Sequence, residues 1–525
     1  MKFFNTAGPV NREDHYCLPP MERFDQEEVS RLIDQQKYFV LHAPRQTGKT
    51  SCLLALMDRL NRSDRYRCLY VNVEMAQAAR ENVKEAMNTI LSELAFNAFH
   101  YLDDNFLENE KNQILQRSGE FLALQTALSL WAKSSSKPLV LLIDEVDALV
   151  GDSLISLLRQ LRAGYTKRPS LFPHSILLCG VRDVRDYRIH SDKEKSIITG
   201  GSAFNIRAES LRLGDFSRQE VERLYQEHVG ETGQPFEQEA LDQTWELTRG
   251  QPWLVNALGY EVCFKMKEGR HRSNPITKDM VLQAKENLIL RRETHLDQLA
   301  DKLKEDRVRS VIQPLLTGTT EVSEIQEDDL QYVVDLGLVR RKPQITISNA
   351  IYREIIPRML TSTTQDSLPF QTHWYVRADG RLDMNKLLTA FQEFFREHSE
   401  HWVERFNYKE AGPQLLLQAF LQRIINSGGR IDREYGLGRK RTDLMVLWPH
   451  QTGVQKVVIE LKILWKSLEA TISEGLAQTA DYMDGCGADE GHLVIFDRRS
   501  DRKWADKIFQ TEKTHGGKRI YVWGM

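Results

Sequence analysis

The chain has 525 residues, enough for roughly three to four domains. Hydrophobic residues make up 41% and charged residues 28%, the composition of a soluble globular protein. The formal net charge of −3 argues neither for nor against a nucleic-acid partner, because a basic groove is a local feature. None of the six cysteines sits in a C-x-x-C pair, which excludes a zinc ribbon or thioredoxin motif and predicts reduced, mostly buried thiols of a cytoplasmic protein. The opening Met1–Cys17 lacks an apolar run, so no signal peptide is expected. Apolar stretches are only strand-length, so no membrane span is expected.

The first third alternates apolar runs with helix-period segments. Lys37–His42 is a short apolar run, and Thr50–Asn61 reads as a helix. Cys68–Val73, Pro138–Ile143 and Ser175–Gly180 are further apolar runs. Strands separated by helices predict a mostly parallel sheet. Between the first strand and helix lies Ala43-Pro44-Arg45-Gln46-Thr47-Gly48-Lys49-Thr50. It matches the P-loop pattern except that Ala43 replaces the first glycine. Such a loop turns backbone N–H groups toward phosphate oxygens, and Gly48 permits their close approach. Lys49 supplies a charge for the β- and γ-phosphates, and Thr50 offers its hydroxyl to Mg²⁺.

Leu141-Leu142-Ile143-Asp144-Glu145 is an apolar run ending in two acids. Asp144 would hold Mg²⁺ through water, and Glu145 would polarise the attacking water. Asp147 reads as a helix N-cap. Ile176–Val181 delivers Arg182 as a γ-phosphate sensor, with a surface arginine the alternative. Arg159, Arg162 and Arg168 are candidates for an arginine finger in trans, or plain solvated charges. Beyond Leu211 the pattern turns helical, with Ser217–Glu231 and Gln238–Arg249 amphipathic, followed by Gly250-Gln251-Pro252. Thr277–Lys304 is also helical. Asp328–Leu336, Gly337-Leu338-Val339 and Gln344–Ser348 read as helix, turn and short β-wing.

Ala43–Thr50, Leu141–Glu145, Gly180–Arg182 and Gly250–Pro252 together resemble the AAA-like ATPases of the STAND group. The resemblance covers roughly Phe4–Leu360. It implies a helical lid whose Pro252 lies against the nucleotide, a winged helix after it, and an adenine-covering segment at His15–Pro20. It also implies a slow nucleotide switch rather than a motor.

Leu360–Gln371 is polar, Ser/Thr-rich and contains Pro369, so it reads as a linker. Helices then run to about Asn426, followed by strands with tight turns, a helix and more strands. Thr442–Trp448 and Gln455–Lys462 read as neighbouring strands around a loop, Pro449–Val454. If pairing is symmetric about that loop, Asp443 faces Glu460, and Lys462 lies on the same face two residues on. Two carboxylates and a lysine on one face fit a Mg²⁺ site for phosphodiester hydrolysis. Arg439-Lys440-Arg441 would position phosphates.

Asp443, Glu460-Leu461-Lys462 and the helix pair Gln478/Tyr482 resemble the PD-(D/E)xK nucleases. That resemblance covers roughly Glu404 to Met525. It implies Gln478 as a catalytic-site helix residue and Glu410 as a further metal-facing acid. Arg441-Thr442 stands where the family name has proline.

The expected fold is α/β: a P-loop NTPase parallel sheet with helical lid and winged-helix-like unit, then a separate α/β restriction-endonuclease-like domain. The expected domains are an ATPase core 1–212, a lid 213–290, a winged-helix-like unit 291–360, a linker 361–372 and a nuclease-like domain 373–525. The expected function is an ATP-dependent regulatory ATPase coupled to a Mg²⁺- or Mn²⁺-dependent nuclease acting on DNA, with RNA as the alternative and bacterial defence as the setting implied by resemblance. The expected partners are nucleic acid, further copies of the chain through the ATPase, and a protein trigger. The alternative is a signalling or scaffold ATPase carrying a non-cleaving binding module.

Overall fold

The structure is a computed structural model. It describes the chain apart from 184–187, 192–195, 200–205, 292–293, 318–324, 368–374, 406–411, 426–428, 438–439, 465–466, 489 and 500–501. The chain divides into two compact units, Met1–Arg292 with Leu330–Asn349, and Glu293–Asp329 with Ala350–Met525. No helix among the described residues is long and apolar enough to cross a membrane.

The first unit opens with two short parallel strands, β1 (Phe3–Phe4) and β2 (His15–Tyr16). Helix α1 (Gln26–Asp34) is capped by the Asp25 side chain, which accepts from the Glu28 N–H. Then come β3 (Tyr38–His42), α2 (Lys49–Arg62), β4 (Arg67–Asn72), three helices α3 (Val83–Leu102), α4 (Phe106–Ser118) and α5 (Glu120–Ser134), β5 (Leu139–Asp144), α6 (Gly151–Gly164) and β6 (Ser175–Gly180). Two paired strands, β7 (Arg188–Ser191) and β8 (Ser196–Thr199), precede β9 (Arg207–Arg212). The main sheet runs β4-β5-β6-β3-β9, parallel throughout.

Strands β3, β5 and β6 are apolar at nearly every position because both faces are covered. Tyr38, Val40, Leu141, Ile143, Ile176 and Leu178 face a core shared with α3, α5 and α6. Phe39, Leu41, Leu142, Leu177 and Cys179 face a second core built on α1 and α2. Asp144 follows Val140 and Leu142 in the two-residue alternation. It therefore emerges toward α2, the helix that carries Thr50.

The segment expected as a lid comprises α7 (Arg218–Thr232), α8 (Gln238–Thr248) and α9 (Pro252–Tyr260). Ser217 and Glu220 close a reciprocal capping box at the start of α7. Farther on, Glu327–Asp335 is helical, and Val339–Arg340 pairs antiparallel with Thr346–Ile347. The helix and two-stranded hairpin read from the sequence are both present there.

In the second unit, α10 (Ala350–Ser367), α11 (Met384–Arg405) and α12 (Gly412–Ile425) lead into β10 (Arg430–Leu437), β11 (Lys440–His450) and β12 (Gly453–Ile463). Helix α13 (Leu468–Cys486) connects to β13 (Glu490–Phe496), β14 (Phe509–His515) and β15 (Lys518–Gly524). The mixed sheet runs β10-β11-β12-β13-β15-β14. Pairing is antiparallel from β10 to β12, parallel from β12 through β13 to β15, and antiparallel at β14. On one face Met445, Val458, Leu493, Ile495 and Val522 pack with Leu476, Ala480 and Met483 of α13. On α11, Gln392 donates to the carbonyls of Gly524 and Phe509, and Phe395 meets Phe496 at 5.5 Å between ring centroids.

Several sequence expectations need correction. The Ser/Thr-rich stretch is helical as far as Ser367 and continues α10, since threonine and serine tolerate a helix once its preceding turns are packed. The loop expected over Pro449–Val454 shrinks to Gln451-Thr452, because His450 pairs with Gly453. Thr277–Lys304 is two helices, Lys278–Arg291 and Thr294–Leu303, assigned to different units. The sequence reading also lacked β9, whose Arg-Ala-Glu-Ser-Leu-Arg has no apolar run, as befits an edge strand.

Candidate functional site

Strand β3 hands over to α2 through Ala43–Gly48. Gly48 has φ +91° and sits immediately before the first helical residue; a side chain there would meet Arg23 Nη1 at 2.9 Å. Gln46 is also left-handed at φ +57°, a conformation that costs a non-glycine residue energy and collects at functional sites. Thr47 Oγ1 donates to the Pro44 carbonyl at 2.8 Å. The buried Lys49 ammonium donates to the Ala43 and Pro44 carbonyls, both at 3.0 Å. The loop is thus closed on itself, with Lys49 at its centre.

At the end of β5, Asp144 is fully buried. Its Oδ2 accepts from Thr50 Oγ1 at 2.7 Å and from the Tyr70 hydroxyl at 3.1 Å, and its Oδ1 accepts from the Glu145 N–H at 2.9 Å. A hydroxyl and an aligned carboxylate side by side are a fitting donor set for Mg²⁺, a hard cation. Glu145 adopts φ +56°. Burial raises its carboxyl pKa above the usual range, and Asp147 and Asp144 add to this, while Lys49 and Arg45 oppose it. A carboxylate raised in this way is a better proton acceptor.

Asp147 is not a helix N-cap. It lies in a short 3₁₀ turn, and its Oδ1 accepts from the Val181 N–H at 3.2 Å, tying the end of β5 to the segment after β6. Arg182 follows that segment, and its guanidinium lies 4.8 Å from the centre of the Tyr332 ring. Arg168 is committed elsewhere. It donates to the Gln36 and Tyr165 carbonyls and lies over the Tyr165 ring, which leaves it no reach as a finger. Arg159 and Arg162 are both on α6.

A cavity opens beside the loop. Its walls include Gln46, Thr47, Gly48 and Ser51 of the P-loop turn, Cys17, Leu18 and Pro20 of the N-terminal segment, and Phe216, Pro252 and Trp253 of the lid. The N-terminal segment joins the other two: Ser51 Oγ accepts from the Val10 N–H at 3.0 Å, and Trp253 Nε1 donates to the Thr6 carbonyl at 2.9 Å. Gln251 caps α9 by accepting from the Leu254 N–H, with Pro252 as the first helical residue. Gly250 has φ +82°, and a side chain there would lie 1.9 Å from the Phe216 carbonyl oxygen.

Two site residues escaped the sequence reading. Arg23 donates to the carbonyls of Thr47 and Gly214 and lies 4.7 Å from the centre of the Phe216 ring. Tyr70 reaches Asp144 from the neighbouring strand. Neither belongs to a motif, and both are defined by partners far away in the chain.

In the second unit, the β11–β12 register pairs Leu444 with Ile459 and Val446 with Val457. The described pairs end at Leu444 and Ile459, next to Asp443 and Glu460. The Asp443 side chain and all of Glu410 lie outside the described residues. Glu460 is buried, and Lys462 Nζ lies 2.9 Å from its Oε1. Gln478, on α13, has a buried Oε1 with no hydrogen-bond partner among the described residues. Tyr482 is buried one turn further along the same helix. Among the described residues no cluster of three or more metal-ligating side chains is complete.

Residues 19–357 match the family model described as an AAA-like domain. Solved structures with a similar fold include a Walker-type ATPase of Pyrococcus abyssi, at 14% identity and a TM-score of 0.46, covering 67% of this chain and 99% of that one. Cdc6p from Pyrobaculum aerophilum aligns at 13% identity and a TM-score of 0.36, covering 69% and 97%. The Thermotoga maritima RuvB branch-migration motor aligns at 14% identity and a TM-score of 0.32, covering 64% and 96%. A comparison with curated proteins found no match. With its P-loop turn, its carboxylate-tipped strand and a family match over most of the first unit, the chain belongs to the AAA-like domain family.

Proposed function

We propose that the chain binds and hydrolyses ATP in its first unit and uses that nucleotide state to control a metal-dependent nuclease in its second. The observation that carries the ATPase half is the convergence of Thr50 and Asp144 at 2.7 Å beside the Lys49-centred loop. In this reading the backbone of Pro44–Lys49 holds the phosphates, with Lys49 and Arg45 supplying charge. Bound Mg²⁺ would neutralise charge on the transferring phosphoryl group. Thr50 and Asp144 would hold it, Glu145 would take a proton from the attacking water, and Arg182 would read the γ-phosphate. Pro252, with Leu18 and Phe216, would enclose the base.

The nuclease half is supported by order and register. A helix, three antiparallel strands, a crossover helix and a parallel strand follow one another, as in PD-(D/E)xK folds. The hairpin register pairs Leu444 with Ile459, the neighbours of Asp443 and Glu460, and Lys462 lies two residues beyond Glu460 on the same strand. Gln478 contributes a buried acceptor with no hydrogen-bond partner among the described residues. Asp443 and Glu460, with Glu410 as a third acid, would hold Mg²⁺ or Mn²⁺, and Lys462 would orient water or stabilise the pentavalent phosphorus. DNA is the proposed substrate and RNA the second polymer to test. Assembly through the ATPase, a protein trigger and a role in bacterial defence belong to the same proposal.

The test is cleavage of plasmid, linear and single-stranded DNA, and of RNA, with Mg²⁺ or Mn²⁺, with and without ATP. Wild type is compared with Asp443→Ala and Lys49→Ala. Cleavage lost in Asp443→Ala and altered in Lys49→Ala supports both halves. Cleavage indifferent to Lys49→Ala removes the coupling. Metal-independent or absent cleavage removes the nuclease and leaves an ATPase with a binding module.

A further inference from the structure

We propose that Tyr70 is a positioning residue for Asp144, holding the carboxylate in the orientation that receives Mg²⁺. The inference rests on the reading of Asp144 as the residue that holds the ion.

Tyr70 lies on β4, next to β5, and pairs with Leu142, two residues before Asp144. Its ring is buried in the core beneath α2, and its backbone N–H faces Met57 Sδ at 3.3 Å. Phenylalanine would fill the same volume without the cost of burying a hydroxyl. The hydroxyl instead donates to Asp144 Oδ2 at 3.1 Å, the oxygen that also accepts from Thr50. The opposite oxygen accepts from the Glu145 backbone. Three donors from three elements thus fix both oxygens of a fully buried carboxylate, which removes its rotational freedom before any cation arrives.

The roles of these donors differ. Thr50 would turn its oxygen to the ion, and the Glu145 N–H belongs to the turn that carries the proposed base. Tyr70 alone among the three comes from a strand that takes no other part in the site. Its hydrogen bond therefore anchors the carboxylate to the sheet.

The experiment titrates Mg²⁺ into the full chain with a fluorescent ATP analogue, starting from EDTA, in wild type, Tyr70→Phe and Asp144→Asn. Tyr70→Phe is expected to bind nucleotide in EDTA as wild type does and to need roughly tenfold more Mg²⁺ for half-saturation, the effect of losing one hydrogen bond to a charged group. Asp144→Asn should abolish the Mg²⁺ response. An unchanged Mg²⁺ midpoint in Tyr70→Phe beside a lost response in Asp144→Asn overturns the positioning role and leaves the metal reading standing. A normal response in Asp144→Asn overturns both. Loss of EDTA-state binding in Tyr70→Phe shows a merely structural tyrosine and overturns the proposal.

Discussion

Lys462 Nζ lies 2.9 Å from Glu460 Oε1, two residues earlier on the same strand. The carboxylate is buried and the amine is only partly exposed, so each depends on the other. Removing one partner of such a pair leaves a charge without compensation. Lys462→Ala is expected to destabilise the second unit by about 3 kcal/mol, read as a lower denaturant midpoint. The double change Glu460→Leu with Lys462→Met should cost less than the single one, while cleavage is lost in both. A single change costing nothing would show that the pair is not a unit.

Arg23 spans the P-loop and the entry to the lid through the Thr47 and Gly214 carbonyls. Arg23→Ala is expected to weaken ATP binding by roughly tenfold, the loss of charge-assisted bonds. Arg23→Lys should not restore it, because a single ammonium lacks the forked geometry and the planar face that rests on Phe216. Isothermal titration of the three proteins checks this. Full rescue by lysine would show that only the charge matters.

As the proposed base, Glu145 should set the acid limb of turnover through its raised pKa. Glu145 works as a base only when ionised, so ATP hydrolysis should rise with pH through an apparent pKa above the ordinary carboxylate value. Glu145→Gln should lower turnover by about a hundredfold or more while leaving ATP binding intact. A pH–rate profile of wild type, with filter binding of the variant, tests both statements.

Gly250 is a local test of the lid. Its φ of +82° and its approach to the Phe216 carbonyl leave no room for a methyl group. Gly250→Ala is expected to cost about 2–4 kcal/mol, seen as a lower Tm of the first unit, and to weaken nucleotide binding with it. An unchanged Tm would mean that the turn opens at little cost.

His295 gives the second unit a pH dependence. Burial lowers its pKa to about 4, and it shares a 2.6 Å hydrogen bond with the Tyr352 hydroxyl. The unfolded chain takes up this proton below its ordinary pKa of about 6.5, whereas the folded chain resists it. The stabilisation is therefore complete above pH ~6.5 and falls away as pH drops toward 4, by up to about 3 kcal/mol. Chemical denaturation at pH 7.5, 5.5 and 4.5 should show the decline, and His295→Phe should flatten it.

What the sequence by itself determined is local. Apolar runs bounded by turn residues marked β3, β5 and β6 to within a residue or two, because strands buried on both faces need apolar side chains at every position. The P-loop and the Asp144-Glu145 pair were legible because phosphate and metal chemistry demand fixed residue types at short spacing. The hairpin register followed from symmetry about a turn, since pairing across a short connection leaves little freedom. Tertiary structure decided the rest. Tyr70 looks like any aromatic of a buried strand until β4 pairs with β5 and brings it to Asp144, 74 residues away. Arg23 is an ordinary surface cation until folding brings it to Gly214, 191 residues away. The polar edge strand β9 likewise depends on long-range packing. Side chains whose roles are set by distant partners carry no local period or spacing, and only the folded chain brings those partners together.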